Sequence, residues 1–267
     1  MSGIAKIRDV ARRLGFARTP AGEVPITAKM SDQRIKSLGS DSDYDAIPYV
    51  LRSPDFWPSI LGSLVAGATY GQSGNTVTVT ATGHGLPTTK NGYRIFWPGS
   101  SAIPMGWYLE FQYVDANTYT FRNPTAQTIG PGTAITGTLP VTSGDQVCVV
   151  DTLPGGSVGK FGRVKLCWVR SGDLTAGNKT LRPQINTTTL ASQVLTTTPY
   201  FSGSVSFACN GAINSQIAVV AMDGVSAAGQ NALAFSLNAD VLTRITLQVQ
   251  NASQWIALDN AHVEITR

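Results

Sequence analysis

The chain has 267 residues, a formal net charge of +4, and 42% hydrophobic but only 13% charged residues. This is enough apolar material for one large β domain or two smaller ones, and the vocabulary is poor in the Glu, Lys and Leu of helical proteins while rich in residues of strands and turns. The basic character is N-terminal: residues 1–36 carry eight Lys/Arg against three acids, residues 37–69 one against four, and the remainder eleven against nine.

Taken in chain order, IAKIRDVARRLGF comes first. It places Ile4, Ile7, Val10, Ala11 and Leu14 at helical spacing, with Lys6, Arg8, Arg12 and Arg13 elsewhere on the wheel and Gly15 able to end it. The pattern predicts a short amphipathic basic helix. Its charges leave no secretory apolar core, and the most apolar stretch, ILGSLVAGA at 60–68, is far below the ~20 residues that span a bilayer, so no membrane insertion is expected. From Arg18 to Pro58 prolines interrupt a polar stretch that includes SDSDYD, which predicts an extended arm too poor in apolar residues to fold alone. Within it, DFWPSILGSLVAG would waste Phe56, Trp57, Ile60, Leu61 and Leu64 in water. These side chains must dock, either on this chain's next domain or into a neighbouring subunit. The arm is set at residues 1–69.

Residues 70–150 read as a small β module. Val77, Val79 and Ala81 share one face and Thr76, Thr78, Thr80 and Thr82 the other, the alternation of a half-buried strand. YRIFW follows, then WYLEFQYV, where Trp107, Leu109, Phe111 and Tyr113 alternate with Tyr108, Glu110 and Gln112; DANT at 115–118 is a turn leading to YTFR, and VTSGDQVCVVD closes the module. His84, between two glycines in TGHGL, reads as a chain reversal.

Residues 151–267 form a second β domain with longer strands: GRVKLCWVR, KTLRPQI, GSVSFA, SQIAVVA, ALAFSL, VLTRITLQVQ and WIALDNAHVEITR. Ile245, Leu247 and Val249 face one way, Arg244, Thr246 and Gln248 the other. Seven or eight antiparallel strands with turn-rich connections predict a sandwich, with a jelly roll as the favoured version.

The residues offer little for catalysis. GGSVG at 155–159 matches G-x-S-x-G with Ser157 as nucleophile, and Asp223 and His262 follow in hydrolase order, but the motif joins two strand patterns where a nucleophile elbow needs a strand before it and a helix after it. His262 shares a strand face with Asn260 and Glu264 and reads as a surface histidine. Cys148, Cys167 and Cys209 are widely spaced in apolar runs and read as buried free thiols, which fits a reducing cytosol. With two histidines in all, no metal or other cofactor is expected. The aromatic group around Trp97 and Tyr108 reads first as core, with these two as candidate glycan contacts. The basic helix could neutralise phosphates, but an acidic protein groove would suit it equally, and nucleic acid is not the favoured partner.

Two stretches carry a resemblance. VTVTATGHGLPTTKNGYRIFWPGS followed by MGWYLEFQYVDANTYTF resembles a small β module common in bacteriophage virion proteins, with a strand ending at a His-Gly-Leu turn and a VDANTYTF-type hairpin. NKTLRPQINTTTLASQVLTTT, NGAINSQIAVV and ITLQVQNASQWIALDNAHVEI are similar to the jelly-roll ends of phage fibres and of head or tail appendages. The resemblance implies a homotrimer made in the host cytoplasm and built into the virion, fastened to capsid, portal or tail by its N-terminal arm. Trp168, Trp255 and Ile256 would be covered by threefold association.

The resulting expectation is an all-β, non-enzymatic virion protein with three parts: an anchoring arm, a spacer module and a trimerising jelly roll. Ile4, Ile7, Arg8, Arg12, Arg13, Leu14, Phe56, Trp57, Ile60 and Leu61 are the expected anchor residues. The alternative is a lectin-like adhesin that grips host surface glycans through exposed aromatics or the loops at 171–179 and 223–231.

Overall fold

The computed structural model describes residues 49–51, 56–139, 145–156, 158, 162–212, 215–222, 230–233 and 236–266. The expected basic helix, with Ile4, Ile7, Arg8, Arg12, Arg13 and Leu14, lies outside the described residues, as do Ser157 and Asp223.

All described elements are strands. In chain order they are β1 (Tyr49–Leu51), β2 (Ser59–Gly62), β3 (Thr69–Thr80), β4 (Arg94–Trp97), β5 (Gly106–Asp115), β6 (Thr118–Ala134), β7 (Gln146–Leu153) and β8 (Arg163–Gly172). There follow β9 (Lys179–Ile185), β10 (Thr188–Thr189), β11 (Gln193–Leu195), β12 (Tyr200–Ala212), β13 (Ser215–Met222), β14 (Gln230–Leu233), β15 (Val241–Val249) and β16 (Trp255–Thr266). One sheet runs β14-β13-β12-β8-β16-β2-β4-β5-β6-β3, with β1 also on β16; the second runs β10-β9-β15-β7, with β11 also on β9.

Two hydrophobic cores meet at a shared wall, one between the two sheets and one within the first. The larger core lies between β8, β12 and β16 of the first sheet and β7, β9 and β15 of the second, with Val164, Leu166, Trp168, Leu181, Val205, Ile245, Leu247 and Val263 inside. The smaller core belongs to the β3–β6 module and holds Tyr70, Val77, Val79, Trp97, Phe111, Tyr119 and Phe121. β2 and β4 sit between them, paired in parallel, and successive residues point to opposite cores: Leu61 and Phe96 into the larger, Ile60 and Ile95 into the smaller. β16 continues the division, with Ile256 and Leu258 on one side and Trp255 and Ala257 on the other. A strand covered on both faces reads as a continuous apolar run without alternation, which is why SILG carries no amphipathic signal.

β2 lies inside the segment assigned to the arm, 1–69, and is a strand of the large sheet. Ile60 and Leu61 are fully buried in this chain's own cores, so they are not free to plug into a neighbour. Phe56 packs on the larger core, and among these four expected anchors only Trp57 stays well exposed, at 47%. Gly62 closes the strand at φ 126°; a Cβ there would stand 2.0 Å from the Gln254 carbonyl oxygen, so the close approach to the 254–255 backbone requires glycine. β7, which runs across residue 150, pairs with β15 in the second sheet.

The module keeps the expected face of Val77, Val79 and Ala81 buried. β5 departs from alternation: Tyr108 and Phe111 both point inward and Leu109 outward. Glu110 takes φ 59°, and the pairing with β6 slips between Leu109 and Gln112, which is a β-bulge that resets the face of every residue before it.

The expected reversal at His84 is more than a turn. The ring is buried, with Nδ1 accepting from the Leu86 N–H (3.0 Å) and Nε2 donating to the Asp115 carbonyl (2.8 Å). It stands edge-on to Tyr113 and Tyr119, 5.5 and 5.3 Å between centroids. The Asn117 side chain accepts from the Gly83 N–H, so the TGHG and DANT turns are laced into one unit.

Two outcomes are expected. Removal of residues 1–48 leaves a cooperatively folding chain, while removal of 1–69 deletes β2 and abolishes the unfolding transition; thermal melts followed by circular dichroism separate the two. His84→Ala, which strands two buried partners, lowers stability by about 2–4 kcal/mol in urea titrations.

Candidate functional site

The structure places both candidate glycan contacts, Trp97 and Tyr108, in the module core. Trp97 donates from Nε1 to the Ile103 carbonyl (3.2 Å) and packs on Tyr70 and Phe121; the Tyr108 hydroxyl donates to the Pro104 carbonyl (2.9 Å). Neither offers a ring face for a sugar. Trp168, Trp255 and Ile256 are likewise inside this chain's own cores and do not wait for a partner.

What the surface does present is a rim at one end of the larger core, built from the β8–β9 loop and the start of β12. Tyr200 is 66% exposed and pairs across strands with Ser171; Leu174, three residues further along the chain, is 64% exposed. Beneath them Lys179 acts as a buried hub. Its Nζ pairs with Asp173 Oδ1 (2.9 Å) and donates to the carbonyls of Thr175 (2.8 Å) and Thr196 (2.5 Å), binding the two rim segments to each other. Asp173 also accepts from the Thr175 N–H and, through Oδ2, from the Trp255 N–H. Gln254 donates to the Ala176 carbonyl, and Gly177, at φ 120°, passes so close to that side chain that a Cβ would collide with it. The loop is thus fixed by buried polar contacts while its apolar side chains face outward.

The same end of the sheet meets the module. Lys90 Nζ lies 2.6 Å from Asp259 Oδ1, the Tyr93 hydroxyl donates to that oxygen (3.0 Å), and the ammonium sits 5.9 Å from the centre of the Tyr200 ring. A bulge between Leu258 and Asn260 turns Asp259 toward the module. Burial, reinforced by Asp259, pushes the Tyr93 hydroxyl well above the usual phenol range. On the other seam Arg94 donates to Ser59 Oγ (3.0 Å) and to the Cys148 carbonyl and lies over the Trp107 ring, while Trp107 Nε1 donates to the Val147 carbonyl (2.8 Å).

Arg170, next to this rim, is buried on the inward face of β8. Its Nη1 donates to the Lys179 carbonyl (3.1 Å), but Nε and Nη2 have no hydrogen-bond partner among the described residues. Burial pulls its pKa down to about 9.

A second group lies on the outer face of the large sheet. Cys167 of β8 and His262 of β16 are direct cross-strand partners, as are Lys165 and Glu264. His262 Nε2 is 3.1 Å from Glu264 Oε1, Cys167 Sγ is 3.9 Å from the same oxygen, and Lys165 Nζ is 3.6 Å from Glu264 Oε2. The hydrogen bond from His262 holds the Glu264 carboxyl below its usual range, and desolvation, with Glu264 nearby, raises the Cys167 thiol. The expectation of three buried thiols therefore needs correction: Cys148 is buried and pushed up to about 12 by desolvation, but Cys167 is only half-buried. Sequence reading placed His262 and Glu264 on one face, but nothing local signalled the arrival of Cys167.

No family model matches the chain, and no curated protein matches it. Among solved structures it is similar to a lyase of polysaccharide lyase family 18 (8% identity, 40% of this chain and 74% of that one, TM-score 0.23) and an alginate lyase of polysaccharide lyase family 7 (7%, 74% and 93%, 0.27). It is also similar to an insecticidal delta-endotoxin of Bacillus thuringiensis (10%, 75% and 42%, 0.26). Likenesses at these scores carry no argument about this chain.

Replacing Arg170 by Met roughly keeps the volume and removes a desolvated charge that has no carboxylate paired with it among the described residues, so the variant is expected to be more stable by about 1–3 kcal/mol. Urea unfolding checks the sign; a destabilised variant would mean that the guanidinium has a counterion.

Proposed function

We propose that this chain is a structural protein of a bacteriophage virion, a homotrimeric fibre, spike or decoration component in which the described sheets form a jelly-roll body. The basic N-terminal helix and arm fasten it to other proteins of the capsid or tail. The observation that carries the reading is the braced apolar rim. Leu174 projects from a loop fixed through Lys179 and Asp173 and Tyr200 from the start of β12, and a surface ordered before it meets its partner loses little conformational freedom on association. Outward apolar side chains on rigid loops suit contact with further copies of the same chain about a symmetry axis.

This reading narrows the anchor. With Ile60 and Leu61 committed to the cores, the fastening segment ends before β2, and of the apolar group at 56–64 only Trp57 is free enough to join it. The adhesin reading draws on the same rim, since Tyr200 beside Lys90 and Asp259 offers a ring face and a charged edge to a glycan.

Light scattering on the purified chain tests the assembly: the mass expected is that of three copies, reduced to one by Leu174→Glu combined with Tyr200→Ser, with the far-ultraviolet spectrum unchanged. A wild-type monomer would sink the reading. An unchanged mass with lost adsorption to host cells would move the rim to the adhesin.

A further inference from the structure

We infer that Cys167, His262 and Glu264 form a binding site for a borderline divalent cation of the zinc class on the outer face of the large sheet, independent of the rim and of the proposed assembly. The three donor atoms lie within 4.8 Å of one another. Donors around a tetrahedral zinc ion, with bonds of about 2.0–2.3 Å, stand roughly 3–4 Å apart, so side-chain adjustment suffices and neither strand has to move. The backbone fixes the arrangement. Cys167 and His262 are directly opposed across the β8–β16 ladder, and Glu264 follows two residues later on the same face.

The donor set selects the ion. One thiolate, one imidazole and one carboxylate is a mixture that calcium and magnesium, which take oxygen ligands, do not favour and that zinc accepts in sites with three protein ligands. His262 and Glu264 are partly exposed, so the fourth position opens to solvent on their side and takes water or an external ligand. On binding, the sulfur–metal bond forms as the thiol proton leaves to solvent, and the imidazole and carboxylate donate lone pairs without further proton loss. Lys165 is the built-in competitor. Its ammonium lies 3.6 Å from Glu264 Oε2, where it holds part of the negative charge that the cation would use. The bound ion would tie β8 to β16, the two strands that carry the larger core up to the shared wall.

Titration of the full chain with cobalt(II), read by absorption, tests the site. The expected result is one equivalent bound with a thiolate-to-cobalt charge-transfer band and the strong visible bands of a four-coordinate ion, displaced by zinc. The charge-transfer band is lost in Cys167→Ser, and affinity falls in His262→Ala and Glu264→Gln by roughly 100-fold or more, beyond the roughly 10- to 100-fold loss expected of an outer-shell partner. The last two leave the thiol in place, so the site stays testable if the serine variant folds poorly. Lys165→Met tightens binding, and zinc slows alkylation of Cys167 in the wild type. Absence of the charge-transfer band, or its persistence in Cys167→Ser and undiminished affinity in His262→Ala, would overturn the assignment.

Discussion

The fold depends on a short wall with apolar side chains on both sides. β2 and β4, joined in parallel and flanked by β16, separate the module core from the sandwich core, and each successive residue serves a different one. Ile60 and Leu61 are fully buried on opposite faces, and each such burial is worth about 1.5–3 kcal/mol. Because the two cores share their wall, neither closes without it, and β2 folds as one with the strands that follow residue 70.

Irregularities then aim the side chains. The bulge at Glu110 brings Tyr108 and Phe111 together in the module, and the bulge before Asn260 turns Asp259 out to meet Lys90 and Tyr93. His84 joins two turns by using both ring nitrogens, an economical structural use of a side chain more often considered for catalysis. Buried polar groups of this kind, fully paired, fix geometry in a way that apolar packing alone does not.

The surface follows from the same construction. Buried Lys179 binds the segments at Asp173–Thr175 and Thr196 to each other, while Leu174 and Tyr200 face outward at one end of the sandwich. On the outer face of the large sheet the ladder register sets a thiol opposite an imidazole. These two places, one apolar and rigid, the other polar and rich in donor atoms, are where the described surface is most unlike a bland sheet exterior.

The sequence by itself determined the all-β class, the buried face of Val77, Val79 and Ala81, the turns at TGHG and DANT, and the inward set Ile245, Leu247 and Val249, because alternation and turn chemistry are local properties of the chain. It could not place β2, since a strand buried on both faces loses the period that marks a half-buried one, and Ile60 and Leu61 read as well for a docking plug as for a wall. Nor could it show the slip at Glu110, which breaks the alternation and puts Tyr108 on the same side as Phe111. Trp97, Tyr108, Trp168 and Trp255 went into the interior because two cores, not one surface, had to be filled. The meeting of Cys167 with His262 and Glu264 was decided by the register between strands far apart in the chain, and register is set only when the whole sheet assembles.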